Sequence, residues 1–379
     1  MNLHPDALSF MEEALDLAEL GRGTTWPNPM VGAVIVRDGN IVGRGYHLQA
    51  GGPHAEVMAL EAAGDQAQGA SCYVSLEPCC HEGRTPPCTL SLIDAQIGEV
   101  VYALADPFPA VAGKGLDKLR EAGITVQGPL LEDKARALNA PFLIAHRQKR
   151  SAVRLKLALT LDGMIADQEG QSQWLTGPAA RLEVHRLRAQ HQAVMVGAET
   201  VRADNPRLTP RDRGNFGRSQ MTRVIITRGG LNLDGSHLLD EVNEHPVWVL
   251  TTPAGAASKE LKSAGQQGAQ IIETAQKSDG FIDLEDGLHQ LFNRGIVSLM
   301  CEGGATLAGQ LLQADLVDRL HIFRAPKVLG GESGKSGFSA PGIDGLAQAR
   351  QFRRIATKTH DEDIEEILVP EAGIWTETA

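Results

Sequence analysis

Four residues of this chain have types and spacing suited to metal-assisted hydrolysis: His54 and Glu56, two positions apart, and Cys79 and Cys88 beyond the next β-rich run. A catalytic zinc takes three protein ligands and keeps a fourth position for water, and one imidazole with two thiolates meets that need. Glu56 is then left over as a proton carrier. Zinc lowers the pKa of a bound water from about 15.7 to near 7, so hydroxide is available at neutral pH. Glu56 could take that proton and hand it to a ring nitrogen and a leaving amine. Both cysteines lie beside expected helix starts, whose positive dipole ends favour thiolate. Taken alone, His-x-Glu is an ordinary helix start with two exposed side chains. Pro78-Cys79 and the later Cys88, in that order, give it chemical meaning.

The other cysteines have plainer readings. Cys72 alternates with apolar neighbours in an expected strand and reads as a small buried hydrophobe. Cys80, next to Cys79, reads as a non-ligand, although ligand exchange is physically open to it. With Cys301 these make five cysteines in 379 residues, too few and too clustered for a disulfide framework, which points to a reducing compartment.

The elements that must position these groups alternate between helix and strand. Residues 5–20 repeat apolar side chains at helical spacing and end at Gly21. VGAVIVRDGNIVGRGYH, residues 31–47, holds two β-rich runs about the hairpin-type turn Asp38-Gly39. Residues 53–64 read as a helix opened by Pro53 and closed by Gly64. ASCYVSLEP and EVVYALADP read as strands, with a helix between them starting near Thr85-Pro86. At residues 146–152 four basic residues interrupt the apolar pattern, and the boundary is set here, giving domains 1–147 and 148–379. Beyond it RLKLALTLDG, QAVMVGAE, RVIITR, PVWVLTT, AQIIET, VSLMCEGG and RLHIFRAPKVLGG are candidate strands, with helices at 178–190 and 305–314. Two α/β domains are expected.

Charge narrows the partners. With 36 basic and 47 acidic residues the formal net charge is −11, which disfavours a nucleic-acid partner. No apolar run approaches the roughly 18 residues of a membrane span, and Asp6, Glu12 and Glu13 fall where a signal peptide needs an apolar core. A cytoplasmic location is expected.

The H-A-E and P-C pairing resembles the zinc nucleobase deaminases, in which the glutamate is an acid/base and not a ligand. Those enzymes usually have P-C-x-x-C, whereas eight residues separate Cys79 from Cys88. That longer insertion, LEPCCHEGRTPPC, and the preceding PNPMVGAVIV resemble the deaminase half of the bifunctional riboflavin-biosynthesis deaminase-reductases. The resemblance implies a cytidine-deaminase-like three-layer domain with one zinc on His54, Cys79 and Cys88. It further implies that Asn28 and His47 touch the pyrimidine or its ribose. His81 and Arg84 are suited to gripping a phosphate; His81 could equally support a neighbouring residue or sit in a free loop. The family often has D-P-N-P where this chain has Asp106-Pro107-Phe108-Pro109.

RLKLALTLDGMIA, SQWLTG, VGAETVRADNPRLTPR, CEGGATLAGQLL and RAPKVLGG, in that order, resemble the reductase half of the same family, which has a dihydrofolate-reductase-like fold. Gly303-Gly304 before a helix could let backbone N–H groups approach a pyrophosphate, although the turn lacks G-x-G-x-x-G and by itself reads as a plain strand-to-helix turn. The resemblance implies that Ala158, Trp174, Thr200, Asp204, Thr227 and the turn Gly303, Gly304, Ala305, Thr306, Leu307 contact NADPH. Ser172, Arg188, Leu208, Arg211 and Glu302 fall where the family holds substrate. Arg188 and Arg211 are the candidates for compensating a phosphate in this acidic chain. Lys156, mid-strand among apolar residues, either contacts substrate near the reacting carbon or faces solvent.

The resemblance implies deamination of a phosphoribosylaminopyrimidine followed by NADPH reduction of its ribose, with a homodimer or higher homo-oligomer as the expected assembly. Two rivals remain. One is a deaminase of free nucleosides or tRNA bases with an accessory domain; the other is a binding protein with a structural zinc. A fourth ligand, such as Cys80, would favour the last.

Overall fold

The computed structural model describes residues 3–81, 86–106, 113–212, 220–330, 334–339 and 345–371. The chain divides into two compact units, Met1–Arg147 and Gln148–Ala379.

The first unit is built on a five-stranded sheet. Its strands are β1 (Gly32–Arg37), β2 (Asn40–Tyr46), β3 (Ser71–Val74), β4 (Glu99–Tyr102) and β5 (Thr125–Gln127), in the order β2-β1-β3-β4-β5. β1 runs antiparallel to both β2 and β3, while β3, β4 and β5 are parallel. Asp38 and Gly39, both with positive φ, close the β1–β2 hairpin, as a tight two-residue turn requires.

Helix Ala55–Ala63 lies almost directly on β2. Gly43 and Gly45 share one face of that strand, and a Cβ at either would stand 2.2 Å from a helix carbonyl, Ala59 O or Ala55 O. The helix presents Ala55, Ala59 and Ala63 on the matching stripe, all buried. Small residues on both surfaces therefore set how close the helix start comes to the sheet, and that start carries His54 and Glu56. Pro53 lies one residue before the N-cap, His54, and so outside the helix. The expected helix near Thr85-Pro86 runs Cys88–Asp94 with Pro87 as N-cap; Thr85 lies outside the described residues.

Among the described residues the main sheet of the second unit has nine strands: β6 (Ala152–Leu159), β8 (Ala193–Gly197), β9 (Thr222–Thr227), β10 (Val247–Thr251), β11 (Gln270–Glu273), β12 (Ser298–Cys301), β13 (Arg319–Arg324), β15 (Phe352–His360) and β16 (Asp363–Pro370). A separate pair is formed by β7 (Met164–Ala166) and β14 (Lys335–Ser336). The order is β11-β10-β9-β8-β12-β6-β13-β16-β15. The seven strands from β11 to β13 are parallel, and the β15–β16 hairpin extends the sheet antiparallel. Near-continuous burial of β8 and β12 is what a parallel sheet covered on both faces demands. Chain order reverses where β12 inserts between β8 and β6, and in such sheets ligands lodge beyond the carboxyl ends of the strands. Among the described residues no helix is long and apolar enough to cross a membrane.

Candidate functional site

In the first unit three ligand atoms, one each from His54, Cys79 and Cys88, lie within 4.8 Å of one another. His54 Nδ1 stands 3.1 Å from Cys88 Sγ and 3.5 Å from Cys79 Sγ. Zn–S bonds of about 2.3 Å and Zn–N bonds of about 2.0–2.1 Å fit a ligand triangle of this size. Among the described residues the donor set therefore fits zinc with three protein ligands. Cys80 is buried but is not in the group. Cys88 opens its helix and donates its backbone N–H to Cys79 Sγ at 3.3 Å, so one helix N-terminus serves both sulfurs. The Cys88 side chain and His54 together hold the Cys79 thiol far below its ordinary value, at about 4.

Glu56, only 3% exposed, lies in the first turn of the helix that His54 caps. Burial first, and the negative Cys79 second, push its carboxyl up to about 7. That is the range in which a carboxylate can both take and return a proton near neutrality. His47 packs edge-on to His54 with ring centres 5.3 Å apart. Its Nδ1 lies 3.0 Å from Pro53 O, which can only accept, so Nδ1 carries the proton and Nε2 accepts from Asn28 Nδ2 at 3.1 Å. Burial and the nearby His54 lower the His47 pKa, which agrees with this neutral tautomer. Asn28, His47, His54, Glu56, Cys79 and Cys88 are thus one cluster. His81 is exposed on the loop beyond Cys80, and Arg84 lies outside the described residues, as do Pro107 to Pro109. Cys72 is fully buried in β3 and its thiol is pushed up by burial.

In the second unit the candidate residues gather at the carboxyl ends of β6, β8, β9 and β12. Gly304 caps helix Ala305–Gln313 and, having no side chain, makes no cap bond to its N–H groups, which leaves that end suited to an anion. A Cβ on Gly303 would meet Leu307 Cδ2 at 2.7 Å, and one on Gly304 would come within 3.9 Å of Thr200 Oγ1. This turn fits a cofactor pyrophosphate. Thr227 ends β9, where its hydroxyl shapes the turn through Gly229. Ala158 lies half-buried on β6. Trp174 is 62% exposed, with the Arg181 guanidinium 4.4 Å from its ring centre and its carbonyl accepting from Lys327. Asp204 and Thr306 are exposed and Ser172 is half-buried.

Arg188 meets Glu302 in a two-bonded pair of largely buried groups. The guanidinium expected to grip a phosphate thus already holds a carboxylate. Burial works to raise the Glu302 carboxyl, but Arg188 and then Lys156 overcome it and hold it below its ordinary range. Lys156 is drawn down by burial, opposed by Glu302, and its Nζ lies 5.6 Å from the Phe323 ring centre. The lysine therefore belongs to the Arg188–Glu302 cluster.

Sequence reasoning missed His185. It stands one turn before Arg188 on helix Pro178–Ala189, and its Nδ1 accepts the Arg211 N–H at 3.2 Å. Arg188 Nη1 reaches Thr209 O at 3.4 Å. One helix face thereby ties down the segment from buried Leu208, which has positive φ, to exposed Arg211. The i, i+3 spacing of His185 and Arg188 was the available signal.

Two family models match the chain: the RibD C-terminal domain over residues 151–365, and the cytidine and deoxycytidylate deaminase zinc-binding region over residues 5–104. The riboflavin biosynthesis protein RibD of Escherichia coli K12 is 42% identical over 348 residues, covering 91% of this chain and 94% of that one. The protein of that name from Aquifex aeolicus is 40% identical over 358 residues, covering 94% and 96%. Among solved structures, Acinetobacter baumannii RibD, form 1, aligns with a TM-score of 0.86 at 38% identity over 97% of this chain and 99% of that one. A diaminohydroxyphosphoribosylaminopyrimidine deaminase/5-amino-6-(5-phosphoribosylamino)uracil reductase from Thermotoga maritima aligns with a TM-score of 0.82 at 36% identity over 96% and 98%.

Proposed function

The chain belongs to the RibD family of bifunctional deaminase/reductases of riboflavin biosynthesis, and from that premise we propose how its residues divide the two reactions. The first is zinc-dependent hydrolytic deamination of 2,5-diamino-6-(5-phosphoribosylamino)pyrimidin-4(3H)-one. The second is reduction by NADPH of the ribosyl group of 5-amino-6-(5-phosphoribosylamino)uracil to the ribityl phosphate. We assign the first to residues 1–147 and the second to residues 148–379.

The convergence of His54, Cys79 and Cys88 beside the buried carboxyl of Glu56 is the observation that carries the deaminase assignment. Held by those three residues, zinc supplies the Lewis acidity that makes water a nucleophile at neutral pH. Glu56 takes the first proton of the attacking water and delivers it to the ring nitrogen. It then takes the remaining hydroxyl proton as the carbonyl forms and delivers it to the amine, whose C–N bond breaks to release ammonia. Its raised pKa suits both transfers. His47, fixed as one tautomer by Pro53, and Asn28 orient the pyrimidine or its ribose. His81 and Arg84 are the candidates for binding the phosphate in this reading.

In the reductase NADPH supplies the hydride, and the protein supplies position and charge. The uncapped helix start at Gly304, the small Gly303, Ala305, Thr306, Leu307 and Thr200 hold the pyrophosphate end. Ala158, Trp174, Asp204 and Thr227 complete the cofactor's contacts. Arg211 is the phosphate cation, while Arg188 keeps Glu302 and Lys156 facing the ring-opened sugar. Ser172 and Leu208 border the same substrate. Among the described residues, Lys156 and Arg188 stand by Glu302, and His185 feels Arg188 and Arg211 as well as Glu302 and Asp212, the last paired with Arg186; the cations outnumber the carboxylates, which suits a phosphorylated substrate.

We further propose self-association and a cytoplasmic location. The nine-residue strand β15 ends its sheet with most side chains exposed, an edge suited to a second copy. Two thiolate ligands need a reducing compartment, and none of the five cysteines is disulfide-bonded. The test is incubation of the full chain with the diaminopyrimidine phosphate, following ammonia release, and with the deaminated product, following NADPH absorbance. Both signals are expected. Absence of NADPH consumption from the deaminated product would overturn the reductase assignment.

A further inference from the structure

We propose that Glu77 is a positioning residue of the metal centre, setting the Cys79 sulfur through the backbone it braces; this rests on the zinc reading above. Glu77 is 3% exposed and two residues before Cys79. Among the described residues its carboxylate accepts three backbone N–H bonds: Asp106 N at 3.2 Å and Gly113 N at 3.0 Å on Oε2, and Gly115 N at 3.0 Å on Oε1. Its own N–H donates to Leu104 O at 2.8 Å. A carboxylate this buried is costly unless its oxygens are satisfied, and each of these donors is backbone, at Asp106 after β4 or at the start of the helix Lys114–Glu121.

The same segments grip the residues that follow. Helix Lys114–Glu121 starts so close to Pro78 that a Cβ on Gly115 would stand 2.1 Å from Pro78 O. One turn later on that helix, Lys118 Nζ donates to Cys80 O at 2.8 Å. Residues 77 to 80 are therefore held at Glu77 by the carboxylate, at Pro78 by close packing and at Cys80 by a lysine. Cys79 lies between these anchors, so its sulfur has little freedom to drift from His54 and Cys88. Glu77 touches neither substrate nor metal in this reading. It acts through Cys79.

The experiment uses the full chain loaded with zinc, timing transfer of the metal to a chromophoric chelator, and the cobalt(II)-substituted chain, recording the thiolate-to-cobalt absorption. Glu77→Gln turns an amide N–H toward backbone donors. Zinc release is expected to be roughly 10–100-fold faster, with a shifted cobalt band and with kcat for ammonia release lowered more than KM is raised. NADPH oxidation by the second unit serves as the internal control and stays at the wild-type rate. Lys118→Met changes an exposed side chain and removes only the bond to Cys80, so release about twofold to tenfold faster is expected. Wild-type zinc release and an unchanged cobalt spectrum in both variants would overturn the proposal. If Glu77→Gln does not fold, Lys118→Met decides by the same criterion. A wild-type chain that takes up neither metal would overturn the zinc reading itself.

Discussion

Arg188 Nε lies 2.5 Å from Glu302 Oε1 and Arg188 Nη2 lies 2.8 Å from Oε2, joining residues 114 positions apart in a two-pronged pair. Their side chains are 15% and 11% exposed, so neither charge has ready access to water. Removing one partner of such a pair strands the other. Glu302→Ala leaves Arg188 buried beside Lys156 and should destabilise the second unit by about 3 kcal/mol, read by urea unfolding. Arg188→Lys keeps the charge and loses the fork; it should lower NADPH oxidation while ammonia release is unchanged.

Glu56→Gln keeps the shape of the side chain and removes its proton chemistry. Ammonia release should fall by roughly 10²–10⁴, with zinc content and NADPH oxidation from the deaminated product unaltered. Loss of zinc from this variant would instead make Glu56 a ligand.

Acid should loosen the second unit through buried His321 and Glu365 and the partly buried His360. His321 Nδ1 lies 2.6 Å from Glu365 Oε1, and His360 Nε2 lies 2.9 Å from Oε2. Burial, with Arg154 nearby, holds His321 down to about 3; burial also works to raise Glu365, but the two histidines overcome it and hold it down to about 2. Both folded values are below the ordinary ones, so the stabilisation is present above pH 6.5 for His321 and 4.5 for Glu365. It is lost as pH falls through each window toward about 3 and about 2. A histidine that protonates only when unfolded costs about 1.4 kcal/mol per pH unit within its window. Amide exchange along β13 should therefore accelerate as pH drops below 6.5, after correction for intrinsic rates. His321→Asn should flatten that dependence.

The parts legible in sequence were those set by local pattern. Asp38-Gly39 marked its hairpin, and helices expected at 178–190 and 305–314 run Pro178–Ala189 and Ala305–Gln313. The β15–β16 hairpin was missed because β15 is mostly exposed, so Arg353, Arg354 and Lys358 hide the apolar alternation that announces a half-buried strand. Of RLHIFRAPKVLGG only Arg319–Arg324 is strand, since Pro326 cannot donate to a ladder. Helix Glu132–Gln148 carries Pro141 within it, which reads as a break in sequence, and it runs through the first basic residues of the expected boundary.

In the sites, His54, Glu56, Cys79 and Cys88 were legible because zinc chemistry demands those residue types. The Arg188–Glu302 pair, the His185 contact and the Glu77 brace were not, because each depends on segments that meet only after folding.

On the proposed assignment one chain performs a zinc-dependent deamination and then an NADPH reduction in separate units. The most direct measurement supplies the diaminopyrimidine phosphate and NADPH together, with and without a zinc chelator, and follows ammonia and NADPH absorbance at once. Without chelator both should change in equal amounts; with it neither should, and adding the deaminated product should restore NADPH oxidation alone. Ammonia release that persists in the fully demetallated chain, or chelation that also stops oxidation with the deaminated product, would contradict the account.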